Sequence, residues 1–192
     1  MARIPRAFIL LVLLLSSLSC SCVMGAFDLV DKVCIQNTSP RICREALRSD
    51  VRFAISDLTG LGYIAIDLTR RHVTATSNRI KVLIAQTQDP GLKKPLAFCE
   101  QKYREALFAC ERAGPSLGER YYEGFSAAGD AVSSLGKACQ NAFGASPLGS
   151  INKKTVVFGD LFRSLASLLS KSRFQNYLLS VDVYAVIHLG IL

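Results

Sequence analysis

The stretch KVCIQNTSPRIC, Lys32 to Cys43, holds two cysteines nine positions apart around a polar loop that ends in Ser39-Pro40. Such a pair suits half of a metal site, a redox couple or a disulfide clasp. Which of these it is depends on the compartment, because disulfides persist where the surroundings are oxidising.

The start of the chain supplies that compartment. Arg3 and Arg6 precede an unbroken apolar run from Ala7 to Leu15, and small residues then lead to Val23-Met24-Gly25-Ala26. A basic region, a short apolar region and a small-residue cleavage site in that order predict a secretory signal over residues 1–25. The run is shorter than the roughly 20 residues a membrane-spanning helix needs. A lipoprotein signal at Cys20 is set aside, because Ser17 stands three positions before it where an aliphatic residue is expected. Cleavage would remove two of the seven cysteines, Cys20 and Cys22, and leave Cys34, Cys43, Cys99, Cys110 and Cys139. Two disulfides and one free thiol are the natural count for that odd set.

Losing Arg3 and Arg6 lowers the formal charge from +8 by two, to +6. A basic secreted protein of this kind is drawn to polyanions, but the Lys and Arg residues are scattered and no aromatic-basic nucleic-acid motif appears. The mature chain, about 166 residues, fits one domain.

After the cysteine loop, REALRSD reads as a short helical piece ending near Ser49-Asp50. Val51 to Gln88 contains no proline and spaces Leu58, Leu61, Ala65 and Leu68 at three-four intervals, which predicts one long helix. Asp89-Pro90-Gly91 reads as a breaker. A second long helix is expected from about Pro95 to Ala113, with Cys99, Tyr103, Ala106, Cys110 and Ala113 on one stripe and Gly114-Pro115 as its end. A third is expected from about Glu119 to Phe143; its small residues Ser126, Ala127, Ala128, Gly129 and Ala131 permit close helix approach. The fourth, Ile151 to about Lys171, carries Val156, Leu161, Leu165, Leu168 and Leu169. Four amphipathic helices joined by short turns bury their stripes against one another, so the fold class is all-α, an up-down-up-down four-helix bundle.

In antiparallel neighbours, contacting residues lie equally far from the shared turn. Cys99 and Cys139 are equidistant from residue 119, beside the Gly114 to Gly118 connection, so they can share a height in adjacent helices. Cys110 and Cys139 would centre inside the third helix, beyond disulfide reach. Cys99 and Cys110 sit about 16 Å apart along one helix at 1.5 Å per residue. The expected pairs are therefore Cys34–Cys43 and Cys99–Cys139, with Cys110 a buried free thiol.

Catalytic and metal motifs are missing. No CxxC or HExxH accompanies Cys34 and Cys43, so no metal site is expected. His72 and His188 lack a partnering nucleophile motif and read as surface or packing residues. The carboxylate pairs Asp28/Asp31 and Glu119/Glu123 have the spacing of solvated helix faces. No glycine-rich phosphate loop is present, and the chain reads as a binding protein, not an enzyme, with no cofactor. Asn37-Thr38-Ser39 is a glycosylation sequon at Asn37, followed directly by Pro40.

In order along the chain, the signal, the Cys34-x8-Cys43 loop with Pro40 three before its second cysteine, Leu96-x-x-Cys99-x-x-x-Tyr103-x-x-Ala106 and Cys139-x-x-Ala142-Phe143 resemble the plant invertase and pectin methylesterase inhibitor family. The resemblance covers about Val33 to Lys171, and DLTGLGYIAIDL, Asp57 to Leu68, is similar to the start of the long helix in members described as putative invertase inhibitors. It implies an N-terminal helical hairpin before the bundle, a domain over residues 26–171, and inhibition of a cell-wall enzyme by occlusion of its active-site cleft. Two departures bear on the target. Asn37 stands where many members have Thr, with Thr38 one later, and the loop that resembles Pro-Lys-Phe in invertase inhibitors reads Pro90-Gly91-Leu92 here. Losing that lysine and aromatic ring removes charge and a rigid anchor. Pectin methylesterase is accordingly the expected target. The alternatives are a cell-wall or vacuolar invertase, with Asp89, Pro90, Leu92 and Lys93 as the inhibitory loop, or a non-inhibitory bundle that binds pectic polyanions. The expected location is extracellular, in the apoplast or cell wall. The tail, residues 172–192, extends past the resemblance, and Asp182 and His188 interrupt its apolar run, so neither a membrane span nor a lipid-anchor signal is expected.

Overall fold

The structure is a computed structural model that describes residues 25–189, with side chains through residue 175. The expected signal over residues 1–25 lies almost wholly outside the described residues.

Helix α1 (residues 25–34) and α2 (Pro40–Arg48) form the N-terminal hairpin. A 3-10 turn, Val51–Ile55, leads into α3 (Leu58–Gln86), followed by α4 (Pro90–Gly118), α5 (Tyr122–Asn141) and α6 (Gly149–Leu189). Helix α3 packs on α4 and α6, and α5 packs on α4 and α6, which closes a four-helix bundle in which chain neighbours are also spatial neighbours. No strand occurs among the described residues.

Several boundaries differ from the sequence expectation, each for a local chemical reason. The helix expected from Val51 begins instead at Leu58. Asp50 accepts the Arg52 amide to cap the 3-10 turn, and Asp57 then accepts the Gly60 amide at 2.7 Å to cap α3. Asp89-Pro90-Gly91 is less a loop than a helix start: Asp89 accepts the Gly91 amide at 2.8 Å and Pro90 occupies the first helical position. Pro95 and Pro115 both lie inside α4, which continues to Gly118. Each proline removes one intrahelical backbone donor, and buried neighbours at Leu96, Ala113 and Leu117 hold the helix together. Finally, α6 runs on past Lys171 for 41 residues in all, since no Gly or Pro intervenes before Gly190. The expected division at residue 171 coincides with no break in this helix.

The stripe Cys99, Tyr103, Ala106, Cys110 and Ala113 is buried throughout. Cys99, Tyr103 and Ala106 belong to the lower core with Val73, Ile80, Leu96, Cys139 and Leu148, whereas Ala113 belongs to the upper core, which joins the hairpin residues Val30, Val33 and Leu47 to Leu61, Ile64, Leu161, Phe162 and Leu165. Burying one such side chain contributes about 1.5–3 kcal/mol. Between α5 and α6 the backbones touch: a Cβ on Gly129 would lie 2.5 Å from the Gly159 carbonyl oxygen. Both disulfides form as expected, Cys34–Cys43 with a Cα–Cα distance of 5.6 Å and Cys99–Cys139 with 4.8 Å, and Cys110 is a buried free thiol.

Candidate functional site

The loop between Cys34 and Cys43 seats the hairpin on the bundle. Asn37 is 5% exposed, and its Nδ2 donates to the Val157 carbonyl of α6 at 3.0 Å while its Oδ1 accepts the Ser39 amide. Next to it, Thr38 Oγ1 donates to Asp160 Oδ2 at 2.5 Å. The other oxygen of that buried carboxylate accepts from Ser133 of α5 at 3.2 Å and from Arg163, which also reaches Asp130. One α6 carboxylate thus ties together hairpin, α5 and α6. The nitrogen that a glycan on the Asn37 sequon would occupy is thus buried and already donating. Within the hairpin, Asp31 pairs with Arg44 at 2.6 Å and Arg48 at 3.1 Å, and the Arg48 guanidinium lies 4.6 Å above the Phe27 ring. Asp31 is therefore engaged structurally and forms no acid/base pair with Asp28.

A second buried polar chain crosses the bundle. His72 Nε2 lies 3.0 Å from Thr155 Oγ1, Tyr103 OH lies 2.8 Å from the same hydroxyl and donates to Asn152 Oδ1 at 2.8 Å, and Asn152 Nδ2 donates to Gln140 at 3.0 Å. Helices α3, α4, α5 and α6 each contribute a member. Burial, reinforced by the nearby Lys154 charge, pulls the His72 imidazole down to about 4, and burial pushes the Tyr103 phenol up to about 12. His72 also meets the Phe158 ring edge-on at 5.2 Å. Both groups stay neutral and serve packing specificity. Cys110, in a small cluster with Ala109 and Val132, is raised to about 12 by burial and is no nucleophile.

The expected inhibitory loop lies at the α3–α4 turn. Asp89 and Pro90 build the helix start, and Leu92 and Lys93 project from its first turn, with Leu92 38% exposed. The structure does not bring this turn together with the hairpin loop.

Sequence reasoning passed over the outer face of α4. Phe98 and Phe108 are exposed there, and each carries a cation above its ring, Lys102 at 5.3 Å and Arg112 at 5.2 Å. Beside Phe108 a cleft of about 530 Å³ opens between α4 and α5, walled by Arg104, Glu105, Ala131 and Leu135. The signal was present: Phe98, Glu105, Phe108 and Arg112 recur at helical spacing on the face opposite the cysteine stripe. Rigid aromatics and arginines on a helix are the usual anchors of protein interfaces.

The profile of the plant invertase/pectin methylesterase inhibitor family matches residues 28–170. A pectinesterase inhibitor from Actinidia deliciosa is 30% identical over 142 residues, 73% of this chain and 77% of that protein. Among solved structures, mutant form A of a pectin methylesterase inhibitor from Arabidopsis aligns with a TM-score of 0.65 at 18% identity, over 70% of this chain and 93% of that one. A pectin methylesterase inhibitor from Arabidopsis thaliana aligns at 0.57 and 19%, over 73% and 95%. These last two show the shared helical-bundle fold, and the family match together with the Actinidia relative shows that the chain belongs to the plant invertase/pectin methylesterase inhibitor family.

Proposed function

We propose that this protein is a secreted inhibitor of pectin methylesterase that binds the enzyme stoichiometrically in the apoplast and occludes its cleft. The observation that carries the reading is the 30% identity to a protein that is itself a pectinesterase inhibitor. The family consists of inhibitors, not enzymes. The outer face of α4 supports the reading physically. Phe108 and Arg112 stand on a helix whose other side is locked in the core by Tyr103 and the Cys99–Cys139 bond, so little order is lost when that face docks. Titrating the purified protein against pectin methylesterase and invertase tests it. The expected result is inhibition of the esterase that saturates at one equivalent, weakened at least thirtyfold by Phe108→Asp; inhibition of neither enzyme defeats the reading.

Two other readings have their own support. For invertase, the α3–α4 turn offers the exposed Leu92 and Lys93 on a rigid helix start, and Leu92→Asp should then abolish invertase inhibition. For pectic polyanions, the formal charge of +6 left when Arg3 and Arg6 depart from the +8 of the whole chain supplies attraction, and retention on a pectate column should vanish in moderate salt.

A further inference from the structure

At the end of the bundle where the α4–α5 turn faces α6, two adjoining clefts of about 520 and 510 Å³ share Arg120, Tyr122 and Arg173 in their walls. Tyr121, Glu123 and Phe174 complete the first, while Asp57 and Leu58 from the start of α3 wall the second. Both fall within the 300–1,000 Å³ usual for small-ligand sites.

The turn is built in an unusual way for so short a link. Arg120 has φ 57°, the one positive φ at a non-glycine residue among those described. Left-handed backbone costs an ordinary residue about 1–2 kcal/mol. Next to it, the Tyr121 ring lies over the backbone of Gly124, where any Cβ would overlap the ring. The ring is thereby held flat against the first turn of α5 with 56% of the residue still exposed, and Phe174 across the cleft is 62% exposed. Neither arginine makes an ion pair among the described residues.

We propose that these clefts bind an acidic oligosaccharide, one uronate carboxylate meeting Arg120 or Arg173 while a sugar C–H face rests on the Tyr121 ring. Guanidinium matches a carboxylate with two parallel hydrogen bonds. Aromatic rings take the apolar face of a pyranose, whose hydroxyls can donate to the Glu123 and Asp57 carboxylates. Those two carboxylates also decide against a dense anion: phosphate or sulfate would be repelled by the walls that a hydroxyl-rich, sparsely charged chain can use. Two clefts in series suit at least two sugar units. The site lies several turns beyond Phe108 along the bundle and does not depend on the inhibitory reading.

The test uses the full chain collected from the medium of a secreting host, with trigalacturonate, neutral maltotriose and inorganic sulfate as probes. Saturating the protein's aromatic protons should transfer signal to the C–H protons of trigalacturonate. Affinity for it should exceed that for maltotriose at least tenfold and fall at least tenfold in Arg173→Ala and in Arg120→Gly, the latter compatible with a positive φ. Tyr121→Ala should erase most of the transfer. Absence of transfer in the wild type overturns the proposal. Unchanged affinity in both arginine variants overturns it too, as does equal binding of sulfate, which would reveal a simple anion site. If either arginine variant loses its melting transition, the wild-type transfer and the ranking of the three probes decide alone.

Discussion

At the scale of single residues, His72 carries the clearest prediction. Its imidazole titrates near 6.5 in an unfolded chain and near 4 in the fold. Between those values the unfolded chain holds a proton that the folded one refuses, so stability falls as pH drops from 6.5 towards 4, by up to about 3 kcal/mol. Melting temperatures measured across that range should fall with acidity in the wild type and fall less in His72→Gln, with no such difference above pH 7. Asn37 yields a second prediction. Intact mass after secretion from a glycosylating host should show no glycan at Asn37, because the side chain donates to Val157 inside the fold. Neither role was legible in the sequence. His72 owes its state to burial in the bundle and to Lys154, some eighty positions away, and Asn37 is buried by a helix more than a hundred positions on. The cysteines were legible because a covalent bond imposes a distance that helix geometry converts into sequence arithmetic.

At the scale of helices, the glycines separate two uses of one residue. Gly129 faces the Gly159 carbonyl across the α5–α6 crossing, so Gly129→Ala should overpack it and destabilise by about 1–3 kcal/mol. Gly114, inside α4, has nothing near the position a Cβ would take, and Gly114→Ala should stabilise by about 0.5–1 kcal/mol. Thermal unfolding of the two variants should therefore shift in opposite directions. Helix identity was legible here through the three-four spacing, whereas helix ends were not. Pro95 read as a start and Pro115 as a stop because local propensity was weighed without the packing of Leu96, Ala113 and Leu117 that carries α4 through both. In the other direction, Asp57 read as helix interior although its side chain caps α3. Phe98 and Phe108 on the outside of α4 did not stand out in the sequence, because single exposed aromatics are ordinary on a helix and only the fold shows that these two share an open face.

At the scale of the whole molecule, the hairpin and the bundle each carry one disulfide of their own, and polar contacts from Asn37 and Thr38 to α6 help join the two. Cross-linking stabilises by restricting the unfolded chain, more for longer loops, so removing Cys99–Cys139, which spans 40 positions, should cost about 4 kcal/mol. Removing Cys34–Cys43, which spans 9, should cost about 2.5 kcal/mol. Denaturant midpoints of the two double-alanine variants should rank in that order. The bundle architecture was legible because each helix had a single apolar stripe to bury. The seating of the hairpin was not, since it rests on Asp160, one carboxylate among fifteen acidic residues, meeting Thr38, Ser133 and Arg163 only once α5 and α6 are in place. The separation of Cys99 from Cys110 along α4 has a further consequence, for the order in which the protein is made. Synthesis delivers Cys110 before Cys139, so Cys99 meets its wrong neighbour first. Once α4 has formed, about three helical turns hold those two sulfurs apart until α5 arrives. The helix thus acts as a timing device that keeps the early thiol waiting for its proper mate, and a substitution that melts α4 during synthesis should accumulate a Cys99–Cys110 by-product, detectable by peptide mapping of the non-reduced chain.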